Sequence, residues 1–224
     1  KQKTTALYDR FVNQGAVMGD SFGLENVLWF ANNKEDAHEE PTIKRSRSHD
    51  YVSKEVINVR ENVGLIEVAN FSKHEFKGTD ARKFLDHVMA GKLPKPGRIS
   101  LSPMLSYRGK LCGDLTVACL DENEFMVFGS GAAQEMHRRW FESHLDKFDV
   151  NYKNRSDEFH GISIAGPNSR KVLEKIVRDD VSNEKFKFRD SRRMFVGGVP
   201  AIINRISFTG ELGYEIYVAP HYQI

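Results

Sequence analysis

The sequence predicts an α+β fold in which antiparallel sheets carry flanking helices. Three features predict it. Segments of helical period alternate with pairs of strand-like segments, not with single ones. The turns inside those pairs are short, and a short turn can join only antiparallel neighbours. The 224 residues, 40% hydrophobic and 29% charged, are enough for one large domain or two small ones with a substantial core.

Each element follows in order. "TTALYDRFVNQGA" places Ala6, Leu7, Phe11 and Val12 at helical spacing, with Gly15 as the stop. "DSFGLENVLWFA" is apolar and aromatic, of mixed character. Residues 32–50 are polar and aperiodic, and read as a surface loop. "DYVSKEVINVREN" reads as a short helix capped by Asp50. "GLIEVANFSKHEFKG" alternates imperfectly and gives two strand pieces. In "GTDARKFLDHVMAGK", Thr79 or Asp80 caps a helix whose stripe is Phe84, Leu85, Val88 and Met89, and Gly91 ends it. "ISLSPML" and "KLCGDLTVACL" are strands flanking "SYRG", and "EFMVFGS" is the next. "AAQEMHRRWFESHL" returns to helix with Met136, Trp140 and Leu145 on one side. "FHGISIAG" is a strand leading into "PNSRKVLEKIVRDD", where Pro167 suits a first helical turn and Val172, Leu173, Ile176 and Val177 form the stripe. "RRMFVGG", "VPAIINRISF" and "GYEIYVA" close the chain as strands.

Composition excludes several classes. A formal charge of +2 provides no field for nucleic acid or an acidic membrane. The short basic run "KRSRSHD" is offset by the acidic "EDAHEE" upstream and reads as a solvated loop. No apolar run reaches the ~18 residues of a membrane span, and no signal peptide opens the chain. Cys112 and Cys119 lie ~23 Å apart along one strand with opposite parity, so they face opposite sides and cannot pair. That usage suits a reducing compartment, and the cytoplasm is the expected location. No Cys/His spacing suggests zinc, and the eight histidines read as surface residues. "GSGAAQ" lacks the third glycine of a dinucleotide fingerprint. The absence of an initiator Met and an end immediately after a strand lead us to expect a piece of a longer protein.

Two constellations carry chemistry. In "VACLDENEFMVF", Asp121-Glu122-Asn123 suits a three-residue hairpin loop. Pairing Leu120 with Glu124 then sets Asp114 across from Ser130, on one sheet face with Cβ atoms about 5 Å apart. Cys112, Thr116, Ala118 and Leu120 share that face, so the carboxylate is expected to be lightly solvated. Such a group needs hydrogen bonds or a raised pKa, and either state serves beside a substrate amine. A structural, hydrogen-bonded Asp fits the same pattern. In "ISFTGELGYEIYV", Gly210 and Gly213 bracket a turn flanked by Phe208 and Glu215, and Tyr214, Ile216 and Val218 alternate against Glu215 and Tyr217. Aromatic surface beside a carboxylate suits a planar ligand with ring N–H donors. A hairpin with one inward aromatic and a rim Glu is the plainer reading.

"GDLTV" followed by "GELGYEIYV" resembles the folate-binding aminomethyltransferase family, the T-protein of glycine cleavage and its relatives. "LYDRFVNQGAVMGDSFGLENVLWFA", "VRENVGLIEVANFSKHEFKG" and "DDVSNEKFKF" look closer to one branch, the C-terminal folate region of dimethylglycine and sarcosine dehydrogenases. The resemblance implies the first two modules of a T-protein-like cloverleaf, with a middle module at about 73–157 inserted in the first. It implies tetrahydrofolate as cofactor, and FAD only in an upstream flavin domain. The implied reaction captures a methylene group from an oxidised N-methylglycine-type amine as 5,10-methylenetetrahydrofolate. Asp114 takes the catalytic place. Ser130, Phe208, Tyr214 and Glu215 take cofactor-binding places, with Phe208 where Tyr is common and Ser130 where Asn is common. The implied partners are the small-molecule amine donor or its iminium and a flavin dehydrogenase domain. The family's third module and an Arg that meets folate fall beyond Ile224. The location becomes the mitochondrial matrix in a eukaryote. A glycine-cleavage aminomethyltransferase, a folate-dependent demethylase and a non-catalytic folate-binding or assembly module are the alternatives.

Overall fold

Helix α1 (Tyr8–Asn13) opens the computed structural model, which describes residues 3–224. Gly15 stops the helix at φ +87°, and a Cβ there would lie 2.3 Å from the Ala31 carbonyl oxygen. The segment of mixed character is a hairpin, β1 (Ala16–Ser21) with β2 (Leu24–Phe30). Phe22 and Gly23 both take positive φ between the strands, the backbone of a tight two-residue hairpin turn. Trp29 packs with Val17 and Ala31, and its ring lies 5.0 Å from that of Tyr51. Tyr51 belongs to α2 (Ser48–Glu61), a helix longer than expected. It begins before Asp50, which is therefore not its cap. Asp50 stands in the first turn, where a carboxylate suits the helix dipole.

Two five-stranded antiparallel sheets form the body. The first has the order β10 (Ser191–Val196), β11 (Val199–Asn204), β12 (Gly213–Val218), β9 (His160–Ala165), β3 (Gly64–Glu67). The second has the order β5 (Arg98–Leu105), β6 (Leu111–Asp121), β7 (Glu124–Ser130), β4 (Phe71–Lys77), β8 (Asn151–Asn154). All strands of the second sheet therefore fall between β3 and β9, which are neighbours in the first. Helices α3 (Ala81–Val88) and α4 (Gln134–Glu142) cover the outer face of the second sheet. The short α5 (Ser169–Leu173) lies on the outer face of the first.

Three apolar layers result. Phe76, Phe84, Leu85, Leu115, Val117, Phe125 and Phe141 pack between the second sheet and its helices. Ile164, Leu173, Phe186, Ile203, Tyr214 and Ile216 pack outside the first sheet. Val68, Ile99, Ala118, Met126, Phe128, Ile202 and Tyr217 lie between the sheets. An antiparallel bridge from Arg98 to Asp190, reinforced by their ion pair, ties the edges of the two sheets together.

Several expectations are corrected. In α4 the buried side chains are His137 and Phe141, while Met136 is exposed. His137 and His74 are core histidines, not surface ones. The α5 helix starts after Pro167 and ends at Leu173, so Val177 reaches the core from an antiparallel bridge to Val196 and Ile176 is exposed. Cys112 and Cys119 both pack against the helix-side core, because a bulge opposite Met104 and Leu105 resets the alternation at Cys112. Both are free thiols. The β6–β7 turn has two residues, with Asp121 paired to Glu124 and an irregularity at Leu120.

The buried histidines make stability depend on pH. Burial pushes the His74 imidazole down to about 3 and lowers that of His137. Unfolding frees both to bind protons near their ordinary value of 6.5. The unfolded chain then holds more protons, so stability is full above about pH 6.5 and falls as the pH drops below it. Urea midpoints should decline from about pH 7 to about pH 4.5, more steeply in the parent than in His74→Phe. Equal slopes would remove His74 from the account. Phe84→Ala, at a fully buried ring against Phe76, Phe141 and Phe148, should cost about 3–5 kcal/mol in the same measurement.

Candidate functional site

The β6–β7 ladder aligns Thr116 with Phe128, Val117 with Val127 and Ala118 with Met126. Thr116, Ala118, Met126 and Phe128 belong to the face turned toward the first sheet. Alternation carries that face on to Asp114 and Ser130, one step past the last paired residues. On their other sides Asp114 pairs with Pro103, and Ser130 with Phe71. Asp114 is exposed, and its carboxylate has no hydrogen-bond partner among the described residues. The expected light solvation is thus corrected. Leu101, a neighbour on the same face, is also exposed, so the opposite sheet does not reach this margin.

Across the layer, β12 presents Glu215 and Tyr217. The Tyr217 hydroxyl donates to Glu215 Oε2 at 2.8 Å, and its ring stacks on Phe128 with centroids 4.5 Å apart. Burial pushes the Glu215 carboxyl above the usual range, and the Tyr217 hydrogen bond partly opposes this. Burial and the adjacent carboxylate also raise Tyr217. Strand register extends the polar group across four strands, as Ser191 opposite Asn204, Asn204 opposite Glu215 and Glu215 opposite Ser163. The Ser191 hydroxyl donates to Asn204 Oδ1 at 2.7 Å.

The structure therefore sets Asp114, Ser130 and Glu215 on the two faces of one inter-sheet layer. Asp114 and Ser130 occupy its open margin, Glu215 its interior, and the Phe128–Tyr217 stack fills the space beside Glu215. It does not bring the other two candidates there. Tyr214 points to the opposite face of β12, fully buried, and stacks on Phe186 at 5.8 Å. Its place is in the outer core, on the other side of the sheet from Glu215. Phe208 is 94% exposed, in a loop shaped by the Ser207 hydroxyl, which donates to the Glu211 carbonyl and accepts from the Gly210 amide.

Three residues of the layer were not singled out in the sequence. Phe128 was accessible to the register argument that selected Ser130. Tyr217 was visible in the alternation with Glu215. Lys73 lies opposite Phe128 in the β4–β7 ladder and is fully buried. Its Nζ donates to the Ala69 carbonyl at 2.8 Å, and burial pushes it down to about 7. Its only signal was a lysine in phase with Phe71 along an apolar strand. Among the described residues, no cluster of three or more His, Cys, Asp or Glu side chains is placed to hold a metal ion, and no helix is long and apolar enough to cross a membrane.

Stacked antiparallel sheets, outer helices and a buried carboxylate between the sheets define an α+β protein with a candidate inter-sheet ligand site. The chain belongs to the GCVT N-terminal domain family, whose model matches residues 7–224. It is similar to the mitochondrial dimethylglycine dehydrogenase of Homo sapiens, with 35% identity over 96% of this chain and 25% of that protein. It is also similar to the aminomethyltransferase of Thermosipho melanesiensis, with 30% identity over 96% of this chain and 54% of that protein. The chain thus spans about a quarter of the first relative and about half of the second. Among solved structures, glycine cleavage system aminomethyltransferase T from Bartonella henselae shares the fold, with TM-score 0.81 and 21% identity over 100% of this chain and 55% of that chain.

The Tyr217–Glu215 contact can be tested directly. Tyr217→Phe removes the donor and should lift the Glu215 carboxyl further, as read by carbon NMR titration. It should also cost about 1–3 kcal/mol in urea unfolding, because a buried acceptor loses its partner. Unchanged stability and titration would show that the two side chains are not coupled.

Proposed function

We propose that this chain forms the folate-binding part of a one-carbon transfer enzyme. In this reading the enzyme captures a methylene group from an oxidised N-methylglycine-type amine and yields 5,10-methylenetetrahydrofolate. Support comes from family membership and from similarity to a dimethylglycine dehydrogenase over nearly the whole chain. The observation that carries it is the buried Glu215, held by Tyr217 in the layer whose margin bears Asp114 and Ser130. Similarity to an aminomethyltransferase supports the alternative of a glycine-cleavage-type reaction. The identity of the amine released separates the two.

The residues present fit tetrahydrofolate. Glu215 Oε2 is engaged by Tyr217, and Oε1 has no partner among the described residues, so the carboxylate can accept ring N–H groups. Phe128 and Tyr217, stacked on each other, hold Glu215 in place from the interior side, and Ser130 provides a hydroxyl at the rim. Bound tetrahydrofolate would supply the nitrogens that accept the one-carbon unit. Glu215 fixes the ring through its acceptor pair, and Asp114 orients the reacting amine and takes or relays its proton. Holding donor and acceptor together supplies much of the advantage and prevents the escape of formaldehyde. Phe208 joins this reading as an aromatic on an exposed loop, free to meet the ligand. The insertion of β4–β8 between β3 and β9 supports a middle module at about 73–157. The partners are the amine donor or its iminium and a flavin dehydrogenase domain, which alone would carry FAD. The location is the cytoplasm, or the mitochondrial matrix in a eukaryote, in keeping with the mitochondrial human relative.

The test is titration and turnover of the full-length protein with tetrahydrofolate. Asp114→Asn should lower turnover about 10²–10⁴-fold while the folate Kd stays within a few-fold. Equal loss of both would reduce Asp114 to a binding or folding group. Glu215→Gln should weaken folate binding about tenfold or more, since a charge-assisted acceptor becomes a neutral amide. An unaltered Kd would remove Glu215 from the ligand contacts, and a parent protein indifferent to tetrahydrofolate would end the reading.

A further inference from the structure

Behind Asp114 and Ser130, on the helix side of the second sheet, lies the His137 imidazole, with the ring of His74 6.1 Å from it. His137 of α4 is 2% exposed. Its ring rests on two glycines, each the immediate chain neighbour of a candidate site residue. A Cβ on Gly113 would lie 2.8 Å from His137 Nε2, and a Cβ on Gly129 would lie 3.1 Å from His137 Nδ1. Any other residue at Gly113 would collide with the ring where it now sits. Nε2 also meets the Cys112 carbonyl at 3.3 Å. A carbonyl can only accept, so Nε2 carries the proton, while Nδ1 has no partner among the described residues and burial disfavours a second proton on the ring.

Cys112 is the residue that the bulge adds to β6. Gly113 pairs with Met104 and Leu111 with Leu105, and Cys112 drops out of the ladder between them. A bulge bends its strand and re-aims the side chains beside it. Here it lies two residues from Asp114, and the group satisfying its carbonyl comes from another element.

We propose that His137 is a positioning residue for the candidate site. Its Nε2–H pins the Cys112 bulge, and its ring, seated on Gly113 and Gly129, sets the strand ends that present Asp114 and Ser130 on the opposite face. The proposal rests on the reading of Asp114 as the proton-handling group and Ser130 as a ligand contact. The glycines make the seat, the bulge makes the bend, and the imidazole holds both strand ends from behind. A shift of about 1 Å in a reacting group can cost on the order of 10²-fold in rate, so such a support has leverage out of proportion to its size.

Two variants of the full-length protein separate positioning from bulk stability. His137→Leu fills the space without a donor. His137→Gln places an amide N–H near the position of Nε2. His137→Leu should lower kcat about 10–100-fold with KM for tetrahydrofolate within about threefold, and His137→Gln should recover most of the loss. Hydrogen exchange of the peptides covering 111–116 and 128–132 should rise in His137→Leu and return in His137→Gln, with exchange around Phe76 and Phe84 unchanged. This readout needs no folate. A parent protein without tetrahydrofolate activity overturns the one-carbon reading, and exchange alone then judges the positioning role. Unaltered exchange at 111–116 and 128–132 in His137→Leu overturns the proposal whatever the folate result. A rise spread evenly over the core, unrelieved in His137→Gln, overturns it as well.

Discussion

The contact of Phe128 with Tyr217 governs the arrangement between the two sheets. It joins the middle strand of one sheet to the middle strand of the other, and Tyr217 cannot enter the layer alone. Its hydroxyl needs a partner in a place without water, and Glu215 provides one two residues away on the same face. A carboxyl group is thereby carried into an apolar interior, where it remains costly unless further donors meet it. The protein accepts that cost next to the open margin bearing Asp114 and Ser130. Structural demand and ligand recognition thus bear on the same few atoms.

The outer helices serve this layer from a distance. Phe76, Phe84 and Phe141 fill the space behind the second sheet, and their packing fixes α4 over β6 and β7. Through α4 the core reaches His137, and through His137 the ends of two strands. On the far edge, the bridge from Arg98 to Asp190 resists splaying of the sheets.

Local pattern revealed much of this. The strand at Glu124–Ser130 has the limits that alternation and turn residues predict, and the stripe of α3 is the buried one. What pattern could not resolve was coverage. Alternation separates Tyr214 from Glu215, but the side that faces another sheet depends on where that sheet comes to rest. Asp114 shows the same limit, because its neighbours suggested shelter and the first sheet stops short of it. In α4 the sequence offers two stripes, Met136 with Trp140 and His137 with Phe141. The choice between them is made by glycines on distant strands that leave room for an imidazole. The bulge at Cys112 leaves no mark in composition, yet it decides the side on which a thiol lies.

The nesting of one sheet inside the other bears on how the chain reaches its native form. β3 and β9 are adjacent in space, with every strand of the second sheet between them in sequence. Closing so long a loop from an unfolded chain is entropically expensive. Within the insert, β5 pairs with β6 and β6 with β7, near neighbours in sequence whose contacts form at small entropic cost, while β4 reaches forward to β7 and β8. Once β4 has also paired with β8, the ends of the insert stand close together and β9 meets β3 across a much shorter effective gap. On a ribosome, where β4 to β8 emerge before β9, the nested order and the order of synthesis coincide.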